Sequence, residues 1–138
     1  MPHTDIKVYG LLTLFLEIEK GIINIPAFQR DFVWNKNNTI DLLESIYKGF
    51  PIGTVYFLRS DHKLFNSSTF EYGVKKNEST HSREYIIIDG TQRLRALYYC
   101  LYIDDDNKPY DFHIGFDLKR GKFIHPNLKK KPNSTLSD

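Results

Sequence analysis

A segment in the second half of the chain carries residue types that suit the binding of phosphate. Three consecutive β-branched residues at 86–88 predict a buried strand, and apolar residues spaced three and four apart from residue 94 onward predict a helix. The pair Asp89-Gly90 makes the turn between them, so residues 91–93 fall in the first helical turn. A helix N-terminus offers unpaired N–H groups and a partial positive charge, which together attract anions.

The side chains of this turn favour the same chemistry. Arg93 carries a forked donor that matches phosphate oxygens. Asp89, at the carboxyl end of the strand, is placed either to hold a hydrated metal ion or to cap the helix. The segment is also compatible with an ordinary strand–turn–helix in which Asp89 is the N-cap and Arg93 is solvated, since short phosphate-loop patterns often occur by chance.

A second segment, in the first half of the chain, alternates polar residues with large aromatic residues. Ile23 and Ile25 predict a short strand, which Pro26 ends because proline has no N–H to donate. Three aromatic and three polar side chains follow: Phe28, Phe32, Trp34, Gln29, Arg30 and Asp31.

Two interpretations of this second segment stay open on the residues alone. In one, the aromatic rings wall a groove into which Gln29 and Arg30 reach. In the other, the rings belong to the core and Arg30 pairs with Asp31 or Asp89.

Three segments, taken in order, resemble a known family. "IPAFQRDFVW", "LLESIYKGFPIGTVYFL" and "IIIDGTQRLRALYYCL" resemble the N-terminal domain of GmrSD-type restriction proteins, a family of the ParB/sulfiredoxin-like superfamily. The resemblance covers residues 8–103. The chain departs from the family at Thr91, where a second glutamine is usual, and threonine keeps a hydrogen-bonding group there on a shorter side chain.

The resemblance implies a function in bacterial defence against modified foreign DNA. Such domains bind and often hydrolyse nucleoside triphosphates, and many precede a C-terminal nuclease domain of the His-Asn-His type, which is not in this chain. The superfamily's sulfiredoxin chemistry needs a cysteine in the turn. Residues 90–93 include none, and Cys100 lies over two helical turns away.

The main hypothesis is therefore a nucleoside triphosphate-binding and hydrolysing domain with a divalent cation, Mg²⁺ or a similar ion, as cofactor. Arg93 and the N–H groups around Gly90, Thr91 and Gln92 would hold the phosphates. Asp89 would orient the metal ion or an attacking water, with Gln92 as a second candidate for placing the water.

The second segment, in the first half of the chain, would complete that site. Gln29 and Arg30 would close over the phosphates, Phe28 would line the nucleotide, and Gln29 is a further candidate for catalysis.

Two alternatives belong to other functional classes. A DNA-binding or DNA-nicking module would place a phosphodiester in the same basic groove, using Arg30, Arg93, Arg95 and the lysines at 129–131. A non-catalytic interaction domain would retain the fold without the chemistry.

Length and composition set bounds on these hypotheses. The chain has 138 residues, which suits one domain over residues 1–124 followed by a polar basic tail at 125–138. The net charge of +2 gives no global polybasic signature, so any DNA contact must come from a local patch. Cys100 is the only cysteine, and a structural thiol in a reducing cytoplasm is the favoured interpretation. No membrane association is expected, and the oligomeric state stays open.

The order of predicted elements indicates an α+β fold, a ParB/sulfiredoxin-like small mixed sheet flanked by helices. Helices are expected over residues 8–20 and from an N-cap at Asn38 to Gly49 as C′ residue. Further strands are expected over 22–25 and 54–58, and a hairpin is expected from strands near 112–116 and 122–124. Residues 60–83 are expected to form a loop or hairpin excursion.

Overall fold

The computed structural model of the chain describes residues 5–26, 33–60, 67–68 and 84–126. Within these ranges it contains three α-helices, six short strands and two 3₁₀ turns. In chain order they are α1 (Leu11–Glu19), β1 (Ile23–Pro26), α2 (Lys36–Tyr47), β2 (Tyr56–Ser60), β3 (Ser67–Ser68), β4 (Glu84–Asp89), α3 (Thr91–Leu101), 3₁₀ turns at Asp105–Asn107 and Tyr110–Phe112, β5 (Gly115–Asp117) and β6 (Lys122–Ile124).

The four strands β2, β4, β1 and β3 form one mixed sheet in that order. β1 and β4 run parallel, with Ile23 beside Tyr85 and Asn24 beside Ile86. β2 is antiparallel to β4, and β3 is antiparallel to β1. The sheet and its helices confirm the predicted α+β class, whereas the likeness to ParB stays a prediction.

The core joins all three helices to the sheet. Phe15 of α1, Leu43 of α2 and Leu97 of α3 are buried together with Ile23 and Ile87 of the two parallel strands. Burying side chains of this size contributes on the order of 1.5–3 kcal/mol each. The parallel strands and the start of α3 are therefore held on a packed support.

The helix boundaries differ from the prediction at two N-termini. α1 begins at Leu11 with Gly10 as N-cap, rather than at residue 8. The N-cap of α2 is Asn35, so the prediction of Asn38 is wrong. Asn38 is the third helical residue, and its side chain accepts from the Asn35 N–H at 3.1 Å while the Asn35 side chain accepts from the Asn38 N–H at 3.1 Å. Asparagine suits both positions of this capping box, which is why the sequence alone was ambiguous.

The end of α2 follows the prediction, and the next strand does not. Gly49 takes a positive φ of 73° directly after the C-cap residue, as expected of a C′ glycine. The Phe50 N–H then bonds to the Ser45 carbonyl at 2.8 Å. Strand β2 begins at Tyr56 rather than at residue 54. Residues 52–54 form a loop instead, and the carbonyls of Ile52 and Thr54 accept hydrogen bonds from Arg93.

Two further expectations have mixed outcomes. The C-terminal hairpin is confirmed as β5 and β6, although Phe112 lies in a 3₁₀ turn before it rather than in the strand. Of the predicted excursion at 60–83, residues 61–66 and 69–83 lie outside the described residues, and Ser67–Ser68 pairs with the end of β1.

The capping box gives a direct test of the α2 boundary. Replacing Asn35 with alanine removes the acceptor for the N–H groups of Asn37 and Asn38, so we expect the free energy of unfolding to fall by about 1 kcal/mol. Urea denaturation followed by circular dichroism measures this. The matched control Asn35→Asp keeps a capping oxygen and should unfold close to wild type, and an equal loss in both variants would contradict the assignment.

Candidate active site at the ends of the parallel strands

The topology brings the end of β1 and the turn after β4 to one edge of the sheet. Because β1 and β4 are parallel neighbours, their carboxyl ends meet at the same edge. The segment at 27–32, which contains Phe28, Gln29 and Arg30, lies outside the described residues. Its flanks are both at this edge, since Pro26 ends β1 and the backbone N–H of Val33 donates to Gln92 Oε1 at 3.1 Å.

The turn after β4 starts α3 with a glycine. Gly90 is the N-cap residue with φ of 90°, and residues 91–93 form the first helical turn, as predicted. A Cβ at Gly90 would lie 3.0 Å from Val55 Cγ2 and 3.2 Å from Val55 Cα, so space and backbone conformation both require glycine. Asp89 is the last residue of β4, and the alternative that it caps the helix is wrong.

A β-bulge sets the direction of the Asp89 side chain. Asp89 pairs with Tyr56 while Ile87 pairs with Phe57, so Ile88 is an extra residue in β4. Residues directly opposite each other in a sheet project from the same face, which places Asp89 on the face of Tyr56. The Asp89 carboxylate is exposed there, beside the first turn of α3. Bulges occur often next to active sites, where they redirect a side chain in this way.

Arg93 binds the loop before β2. Its guanidinium donates from Nη1 to the Ile52 carbonyl and from Nη2 to the Thr54 carbonyl, the latter at 2.8 Å. Gly53, between the two acceptors, has φ of 86°, and a Cβ there would collide with Arg93 Nη1. The alternative in which Arg93 is simply solvated is therefore wrong.

Gln92 and Thr91 are buried at the start of the helix. Thr91 is 6% exposed and Gln92 is 8% exposed, so neither side chain projects into open solvent. Gln92 Oε1 accepts from the Val33 N–H, which fixes the backbone at Val33 against the turn. Gln92 therefore has a positioning contact that the sequence did not predict.

The sequence also missed the part played by residues 52–55. Gly53 accommodates the Arg93 guanidinium, and Val55 packs against Gly90. The available signal was the second glycine of the run Gly49-Phe50-Pro51-Ile52-Gly53, which has no role in ending α2. Only the fold shows that this glycine lies opposite the arginine.

Cys100 is a structural thiol. Its sulfur donates to the Phe112 carbonyl at 3.6 Å, and burial raises the pKa of the thiol to about 12. Because the thiolate is the nucleophilic form, this environment opposes catalysis by Cys100. Within residues 5–26, 33–60 and 84–126 no group of three or more His, Cys, Asp or Glu side chains could hold a metal ion.

Comparison with known proteins identifies one family and one curated relative. The family model described as "GmrSD restriction endonuclease, N-terminal domain" matches residues 11–137. The chain is 28% identical over 114 residues to the uncharacterized protein MJ0686 of Methanocaldococcus jannaschii, a match that covers 76% of this chain and 20% of the relative. The chain thus spans about a fifth of that protein's length. No solved structure matches.

The part of the chain that the structure describes has no helix long and apolar enough to cross a membrane.

The Arg93 contacts hold the loop before β2, so removal of this side chain should affect the stability of the fold. We expect Arg93→Ala to lower the free energy of unfolding by about 1.5 kcal/mol, because two carbonyls lose a charged donor that is partly exposed to solvent. Urea titration measures the loss. Arg120→Ala removes an exposed arginine whose ion pair with Asp117 spans 3.7 Å, so this control should change stability by less than about 0.5 kcal/mol.

The raised pKa of Cys100 predicts slow alkylation in the folded protein. A pKa shift from 9.0 to about 12 reduces the thiolate fraction at pH 8 about a thousandfold, so we expect iodoacetamide to react slower in that proportion. The rate should rise as pH increases toward 12. Mass spectrometry of timed samples measures it, with the urea-unfolded chain as the reference. Equal rates in the folded and unfolded chain would contradict the burial of this thiol.

Proposed function

Because the chain belongs to the N-terminal domain family of GmrSD restriction endonucleases, we propose that it binds and hydrolyses a nucleoside triphosphate for a restriction or phage-defence protein. The observation that carries the proposal is the parallel pairing of β1 and β4, together with the hydrogen bond from Val33 to Gln92. These contacts bring the flanks of the Gln29-Arg30 segment to the helix start.

The first turn of α3 supplies the phosphate-binding character of the proposed site. Gly90 brings no side chain to cap the helix, and the N–H groups near Thr91 and Gln92 lie at the positive end of the helix dipole. Arg93 adds a full charge to this turn. Two of its N–H groups hold the loop carbonyls, so its part in phosphate binding would come from its charge and its remaining N–H groups.

The segment between β1 and α2 would complete the site. We assign Arg30 to the phosphates, Phe28 to the nucleotide and Gln29 to the attacking water. Gln92 is the less direct candidate for placing water, since its carbonyl oxygen already accepts from the Val33 N–H.

Asp89 suits the binding of Mg²⁺ together with a nucleotide. It is an exposed carboxylate at the edge of the sheet where β1 and β4 end, and Mg²⁺ is usually held by one or two carboxylates plus phosphates and water. When bound, the ion would neutralise charge that develops on the phosphate oxygens. Asp89 itself would fix the position of the ion or accept a proton from the attacking water.

Calorimetric titration of the chain with ATP, GTP, CTP and UTP, each with Mg²⁺, tests binding, and release of inorganic phosphate tests hydrolysis. We expect saturable binding of at least one nucleotide. The absence of binding for all four would favour a non-catalytic interaction domain.

Asp89→Asn separates catalysis from stability. Asp89 is exposed and does not cap α3, so we expect the variant to melt within about 1 °C of wild type. We expect turnover to fall at least a hundredfold, because asparagine is a poorer ligand for Mg²⁺ and cannot accept a proton. Asp106→Asn, an exposed aspartate outside this site, is the matched control. Unchanged turnover in Asp89→Asn would remove Asp89 from the mechanism.

A further inference from the structure

A second surface of the chain, formed by the end of α2 and the turn of the C-terminal hairpin, carries four exposed cationic side chains. We propose that this hairpin surface, consisting of Tyr47, Lys48, Lys119, Arg120 and Lys122, binds the phosphate backbone of DNA. All five side chains are exposed. The proposal does not depend on nucleotide binding at the turn after β4.

The hairpin turn has a fixed conformation. Asp117 Oδ1 accepts from the backbone N–H groups of Lys119 at 2.9 Å and Arg120 at 3.1 Å. The Gly121 N–H closes the turn with a 2.7 Å bond to the Asp117 carbonyl. Because these hydrogen bonds already order the turn, little backbone entropy would be lost when its cations bind a ligand.

Contacts with α2 make the hairpin and the helix end one continuous surface. The Phe123 N–H donates to Glu44 Oε1 at 3.0 Å. The Tyr47 ring lies 5.0 Å from the Phe116 ring and 6.1 Å from the Phe123 ring, as measured between centroids. After the Phe123 N–H, Lys48 and Lys122 also lower the pKa of the Glu44 carboxyl, so both lysines lie near it. The end of α2 is therefore in contact with the hairpin, and the four cations lie on these two adjoining elements.

The acidic residues of this surface are engaged in holding it together. Glu44 accepts the Phe123 N–H and pairs with Lys48 at 3.4 Å, and the backbone bond and then the lysines keep the pKa of its carboxyl below the usual value. Asp117 holds the turn and pairs with Arg120. The four cations and these two carboxylates together carry a net charge of +2.

Several separate positive charges favour a polymer of phosphates over a small anion. Cations spread over a hairpin turn and a helix end can each contact a different phosphate, and neutralising phosphates drives binding through the release of counterions. Tyr47, which precedes Lys48, is 62% exposed, and exposed aromatic rings among cations can contact sugars or bases. Arg93, by contrast, is bound to carbonyls of its own chain.

The test is fluorescence anisotropy with a labelled 20-base-pair DNA duplex, using the full 138-residue chain over a series of salt concentrations. The variant Lys119→Gln/Lys122→Gln removes two exposed charges from the hairpin surface. The matched control Lys7→Gln/Lys20→Gln removes two exposed charges elsewhere. Circular dichroism melting of each variant checks that the fold is retained.

We expect the hairpin variant to bind DNA on the order of tenfold more weakly, and its slope of log K against log salt to fall by about 2. The control should bind within about twofold of wild type. An equal loss in both variants would overturn the proposal, as would the absence of DNA binding by the wild-type chain.

Two further arms exclude other sources of binding. The variant Lys129→Gln/Lys130→Gln/Lys131→Gln tests the basic run near the end of the sequence, and a loss in this variant without a loss in the hairpin variant would overturn the proposal. Poly-glutamate of matched charge tests chemical class. Binding of poly-glutamate as tight as that of DNA would make the surface a general anion site and would also overturn the assignment to DNA.

Discussion

The contact between Arg93 and the loop before β2 is the constraint on which the geometry of the site depends. The guanidinium binds the carbonyls of Ile52 and Thr54, on either side of Gly53, and Gly53 has a positive φ that other residues rarely adopt. The same loop then places Val55 against Gly90. The position of the helix start relative to the sheet is thus set by the hydrogen bonds of Arg93 and by the close contact between Val55 and Gly90. A side chain at Gly53 or at Gly90 would disrupt these contacts.

Part of this arrangement could be predicted from the sequence, because it depends on neighbours along the chain. The strand–turn–helix after residue 84, the C′ role of Gly49 and the C-terminal hairpin all follow from local patterns of apolar residues and glycine. The choice between Asn35 and Asn38 as N-cap could not be made locally, since each asparagine satisfies the N–H of the other.

The rest depends on contacts between residues distant in sequence. The chemistry of Arg93 suits a phosphate ligand, but the carbonyls that it binds lie about forty residues earlier in the sequence. The bulge at Ile88 depends on the register between β2 and β4, which alternation within one strand does not specify. Parallel pairing of β1 and β4 could not be predicted from the residues either, although it is the feature that brings the carboxyl ends of the two strands to one edge.

Helix α2 links the two surfaces to which we assign binding. Gln92 binds the backbone of Val33 before α2, and Arg93 binds the loop after α2, so consecutive residues of α3 contact the chain on both sides of this helix. The hairpin packs on the same helix through Glu44 and Tyr47. A ligand that shifted the first turn of α3 would therefore act on α2 at two points, and α2 carries part of the hairpin surface. These contacts connect the turn after β4 to the hairpin surface through packed residues. Binding at one site would influence binding at the other only if the two binding free energies are coupled.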